Sequence, residues 1–143
     1  MKGNRRLARQ ATIQALYQWQ INPASCAEVE AQFLADPDRL AGANVAFFQE
    51  LWRGVCGMVA DLDPAIASHI PERRWEEVSE VERAILRLAA YELYAHRETP
   101  YRVVINEAVE MTKVFGAEHG HRFVNAVLDK LARQWRPEEL GNP

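Results

Sequence analysis

Cysteine is scarce: Cys26 and Cys56 are the only two among 143 residues, and no C-x-x-C spacing joins them. Isolated cysteines exclude a Cys-rich zinc or redox motif and read as free buried thiols of a reducing compartment, acting as small hydrophobes. Long apolar runs are missing too. Nothing approaches the roughly 18 residues of a membrane span. The opening MKGNRRLARQATIQALYQWQ is positive but lacks the apolar core and small-residue cleavage site of a secretory signal. These absences assign the chain to the cytoplasm. Neither a Walker A loop nor a G-x-G-x-x-G or G-x-S-x-G motif occurs, which removes the usual phosphate cradles and the nucleophile elbow. His119 and His121 are two apart, off a common helical face and far in sequence from either cysteine, so they make a poor metal pair. No enzyme, cofactor or metal is expected.

What the chain does have is ordinary for a single globular domain with a real core: 48% hydrophobic and 26% charged residues. Helical periodicity runs through nearly all of it, with no sustained strand alternation. Asn4 is expected to cap a first helix that ends near Gln20, before Asn22-Pro23. Ser25 with Glu28, and Ser79 with Glu82, form capping boxes for two further helices. Asn44 opens a helix with Phe48, Leu51, Trp52, Val55, Val59 and Leu62 on one face, and its Gly54 and Gly57 suggest close approach by a neighbour. Asp63-Pro64 reads as an N-cap and first helical residue, starting a short separate helix. Thr99-Pro100 opens VVINEAVEMTKVFG, which Gly116 closes. The last helix buries Phe123, Val124, Val127, Leu128, Leu131 and Trp135. Residues 1–3 and the tail from Pro137 to 143 are expected to fray. The sum is an all-α domain of about seven helices spanning residues 1–143.

Two polar positions invite chemistry. Glu92 falls in the middle of a broad apolar face, where a carboxylate must be paired or functional, and no base, nucleophile or metal ligand has matching spacing, so pairing is expected. Asn106 and Glu107 read as surface or helix-crossing contacts. Charge is more informative. Net charge is −3, yet residues 1–27 hold Lys2, Arg5, Arg6 and Arg9 with no acid, leaving 13 basic and 20 acidic side chains for the rest. Such a basic end on an acidic body points to a local anion-binding patch. Arg6, Gln10, Ile13 and Tyr17 share a stripe at i, i+4, i+7 and i+11, with Arg9 beside it. Arginines suit phosphates and an aromatic on the same face can stack a base, which is how a single strand is held.

The blocks RRLARQATIQALYQWQ, ILRLAAYEL, VVINEAVE, KVFGAE and FVNAVLDK together resemble the NusB family of bacterial transcription antitermination factors, over nearly the full length. That resemblance implies a compact fold of two packed helical subdomains. It also implies binding to the ribosomal protein NusE, with the heterodimer holding the boxA element of nascent RNA. Through other Nus factors it joins the RNA polymerase elongation complex on ribosomal RNA operons. Carried onto this chain, the RNA surface comprises Lys2, Arg5, Arg6, Arg9, Gln10 and Tyr17, facing Lys113, Phe115, His119 and Arg122. His119 stands where some relatives have an acid, a change that favours RNA. The partner surface falls on the fourth to sixth helices, with the acidic segment Glu76, Glu77, Glu80 and Glu82 complementary to a basic protein. Two alternatives stay open: a homodimeric protein-interaction module, and an RNA-recognition unit akin to the NusB-like domain of ribosomal RNA cytosine methyltransferases.

Overall fold

The computed structural model describes residues 3–141. Among them lie six α-helices: α1 (Arg5–Ile21), α2 (Cys26–Ala35), α3 (Val45–Ala67), α4 (Glu80–Ala95), α5 (Tyr101–Val114) and α6 (His121–Trp135). One-turn 3₁₀ segments precede α4 at Trp75–Glu77 and α6 at Glu118–Gly120. Helix α4 packs against α1, α3, α5 and α6. The sequence of α4 explains that position. Every residue from Ala84 to Leu93 is buried, so the helix has no solvent face over its middle turns.

Helix starts follow the side chains that bond the free N–H groups of the first turn. Asn4 accepts from Leu7 N at 3.0 Å, Ser25 from Glu28 N at 3.0 Å, Asn44 from Phe47 N at 3.0 Å and Ser79 from Glu82 N at 3.1 Å. At the end of α5, Gly116 adopts φ +76°, and the N–H groups of Gly116 and Ala117 return to the carbonyls of Lys113 and Thr112. This is the paired closure that a left-handed glycine makes possible. Gly54 answers the question its position raised. A Cβ there would lie 2.0 Å from the Tyr91 ring, so α4 crosses α3 at the glycine. Gly57 differs: nothing lies within 4 Å of its missing Cβ, and no neighbour requires it.

Several expectations are corrected. The separate helix at Asp63-Pro64 does not exist, which reduces seven helices to six. Pro64 continues α3 in its last turns, where a single missing N–H costs one helical bond. Asp63 is no cap; it takes the Arg87 guanidinium through two bonds of 2.9 and 2.7 Å. Cys26 and Cys56 are not free thiols but a disulfide joining α2 to α3. Trp52 donates its indole N–H to the Cys26 carbonyl at 2.9 Å and fixes the start of α2 beside α3. The resulting Cα separation of 6.4 Å falls within disulfide range. Of the ends expected to fray, residues 1, 2, 142 and 143 lie outside the described residues, and the backbone beside them is held. Asn4 N donates to Gly42 O at 2.8 Å, and Asn44 N donates to Asn4 O at 3.0 Å. Beyond Pro137 the tail turns back, and Leu140 packs on the core. Arg136, fully buried, donates to the carbonyls of Leu93, Glu92, His96 and Thr99 and to Glu139. It thereby joins the C-terminal end of α4 to the turn that follows it, adding a donor to carbonyls that a helix end leaves short of partners.

Candidate nucleic-acid interface

Successive residues on a helix point about 100° apart, and this separates the arginines of α1. Arg5 lies over the Phe47 ring of α3, 4.1 Å from its centroid. Arg6 turns to α5 and grips Glu107 through two bonds, Nε at 3.1 Å and Nη2 at 2.7 Å, while half of its side chain stays exposed. These bonds and the nearby charge raise the Arg6 pKa above the ordinary guanidinium value. Arg9 goes inward. It meets Glu92 in a bidentate pair, both bonds 2.9 Å, with side-chain exposures of 8% and 2%. Burial works against the Arg9 charge, and the bonds to Glu92 outweigh it, so its pKa is raised. Glu92 is thus paired, as its apolar setting demanded. Arg9, read from sequence as a phosphate contact, has spent its guanidinium on that pair and holds α1 to α4.

Farther along α1 the surface changes character. A cleft of about 470 Å³ is lined by Ile13, Tyr17, Ile21, Val81 and Phe115 together with Gln14, Gln18 and Asn22. Tyr17 is 37% exposed. The closed end of α5 positions Phe115 here, with Lys113 on the outer face bonded to Glu110 at 3.2 Å. Gln10 is half-buried between the arginines and the cleft. His119 and Arg122 are exposed on the following turn and the start of α6, without an ion-pair partner among the described residues. The structure therefore brings Tyr17 and Phe115 together and sets Arg6 on the same helix, about 16 Å away at 1.5 Å per residue. Lys2 lies outside the described residues.

The acidic segment adjoins the cleft through Val81, and most of its charge is already engaged. Glu77 accepts from Arg74 N at 2.9 Å. Glu80 is bonded by Arg83, which pulls its carboxyl below the usual range against partial burial, with help from Gln20. Glu82 accepts from the Ser79 hydroxyl and lies against Gly120, where a Cβ would come within 1.7 Å of its carboxylate. Glu72 and Glu76 are exposed with no partner among the described residues. Sequence reasoning missed the Arg6–Glu107 pair and Arg136. Arg6 and Glu107 are 101 residues apart, and nothing local signals such a contact.

A model of the NusB family matches residues 6–133. The transcription antitermination protein NusB of Alcanivorax borkumensis is 53% identical over 135 residues, covering 94% of this chain and 89% of its own. A crystal form of T. maritima NusB superposes with a TM-score of 0.82 at 28% identity, over 99% of this chain and 100% of that one. A chain from the crystal structure of a plectonemic RNA supercoil shares the fold, with a TM-score of 0.81 at 21% identity over 91% and 94%. Match, identity and fold run through the same helices that carry the arginines and the cleft, and the chain belongs to the NusB family.

Proposed function

We propose that this chain acts in transcription antitermination as a non-enzymatic RNA-binding factor, holding a single-stranded boxA-type RNA together with NusE. The observation that carries the reading is the face of α1: a half-exposed Arg6 paired with Glu107 and, on the same helix, Tyr17 lining a cleft with Phe115. Arg5, Arg6, Lys113 and Arg122 supply phosphate contacts, and Gln10 and His119 supply polar ones. An aromatic face tolerates any base, while the cations track the backbone, so the affinity is salt-dependent. Glu76, with Glu77, Glu80 and Glu82 behind it, offers negative charge to the basic partner and speeds encounter more than it tightens the complex.

One observation favours a second role for Tyr17. Its cleft is apolar and shares Val81 with the acidic segment, so it also fits an apolar side chain of the protein partner. A single set of titrations decides between the two. Tyr17→Ala is titrated with RNA in the absence of NusE and, separately, with NusE in the absence of RNA, with solution mass recorded throughout. A loss confined to RNA supports base stacking; a loss confined to NusE assigns the cleft to the protein. Wild-type protein that binds neither, and runs as a dimer with α1 covered, contradicts the RNA reading.

A further inference from the structure

We propose that Glu107 is an internal competitor for the RNA phosphate at Arg6 and so sets the affinity of the RNA face from below. The inference rests on the RNA reading of α1. Both bonds from Arg6 to Glu107 use the Nε–Nη2 edge of the guanidinium, the fork that also fits a phosphate in bidentate fashion. A carboxylate presents two acceptor oxygens in that same plane, so it and a phosphate cannot both occupy the edge. Glu107 is held in place for this task. Its side chain is only 16% exposed, and its second oxygen lies 3.9 Å from Arg9, which Glu92 has already fixed. One turn on, Glu110 bonds Lys113 of the same helix at 3.2 Å, so α5 pairs a carboxylate with each of two candidate phosphate contacts. RNA must therefore displace Glu107 from Arg6 before Arg6 contributes, and the displaced carboxylate remains beside the strand as a like charge.

The isosteric Glu107→Gln removes the competing charge and keeps the shape. Fluorescence anisotropy with a boxA-like RNA and NusE present is expected to show about two- to fivefold tighter binding, the range an exposed ion pair carries. Asp129→Asn removes the same charge from α6, where Asp129 bonds Arg133 alone among the described residues, and reports the general effect of net charge. The gain from Glu107→Gln should exceed that control and should vanish in an Arg6→Ala background. Equal gains in the two single variants, a gain that survives Arg6→Ala, or weaker binding by a folded Glu107→Gln each overturn the proposal. Should Glu107→Gln lower the melting temperature, Glu107→Ala measured at low temperature supplies the same comparison. A wild-type protein that fails to bind RNA at all, with NusE present, rejects the RNA reading itself and the competitor with it.

Discussion

Removing the Glu92 side chain isolates one buried charge, and the cost can be worked from the geometry. In wild type Arg9 and Glu92 meet through two bonds of 2.9 Å with almost no solvent on either group. Two buried charges in good geometry contribute little net stability over an apolar pair, because desolvation offsets their attraction. Losing one partner is different. Glu92→Ala strands the Arg9 guanidinium between α1 and α4, with Glu107 at 3.9 Å as the nearest remaining carboxylate. The expected loss is about 3–5 kcal/mol. For a chain of this size that amounts to roughly 10–20 °C in melting temperature. Thermal denaturation followed by circular dichroism measures it. Replacing both groups, Arg9→Met with Glu92→Leu, strands nothing and should recover most of the loss. A Glu92→Ala shift below about 3 °C, or a double variant as unstable as the two single losses added, refutes the reasoning. The same pair decides the role of Arg9: at a temperature where Arg9→Ala is folded, its RNA affinity should keep the wild-type salt slope.

The two glycines of α3 predict opposite signs. Gly54→Ala drives a methyl group into Tyr91 and should cost about 1–3 kcal/mol, whereas Gly57→Ala meets no neighbour and should stabilise by up to about 1 kcal/mol; urea midpoints for the two variants test both. Acid should weaken the fold through Glu30 and Glu80. Arginine bonds hold both carboxyls below their ordinary range, so the unfolded chain takes up protons first as pH falls. Their contribution is complete above about pH 5, where the unfolded carboxyls are ionised, and is lost on descent through the depressed folded values. Melting temperature against pH should show that fall, and the Glu80→Gln curve should fall less steeply; identical slopes for wild type and variant count against it.

Legibility in the sequence followed the range of the interaction. Asn4, Ser25, Asn44, Ser79 and Gly116 were readable because each cap acts within a few residues of itself. Glu92 was readable in part: its place on an apolar face demanded a partner, but periodicity could not name Arg9, 83 residues away. Arg9 was therefore misplaced at the surface, since arginine on a helix with other arginines looks the same whether it faces water or a buried acid. Asp63-Pro64 misled because the dipeptide has the chemistry of a helix start, while Arg87, 24 residues on, claimed the carboxylate. Arg136 was illegible for a similar reason: nothing beside it signals that the carbonyls of Glu92, Leu93 and His96 at the end of α4, and of Thr99 beyond it, accept its guanidinium. For the candidate site, the cations and Tyr17 were legible as a stripe, but Glu107, which restrains Arg6, lies 101 residues away on α5.

The salt dependence of RNA binding by Arg6→Ala tests the central claim that this face of α1 holds a nucleic-acid backbone. With NusE present, log affinity for a boxA-like RNA is plotted against log salt for wild type and variant, after melting curves show both folded. One lost phosphate contact should make the slope shallower by about 0.7 on a single strand and weaken binding at low salt. An unchanged slope and unchanged affinity would mean that Arg6 serves only Glu107, and that the arginines of α1 belong to the fold rather than to RNA.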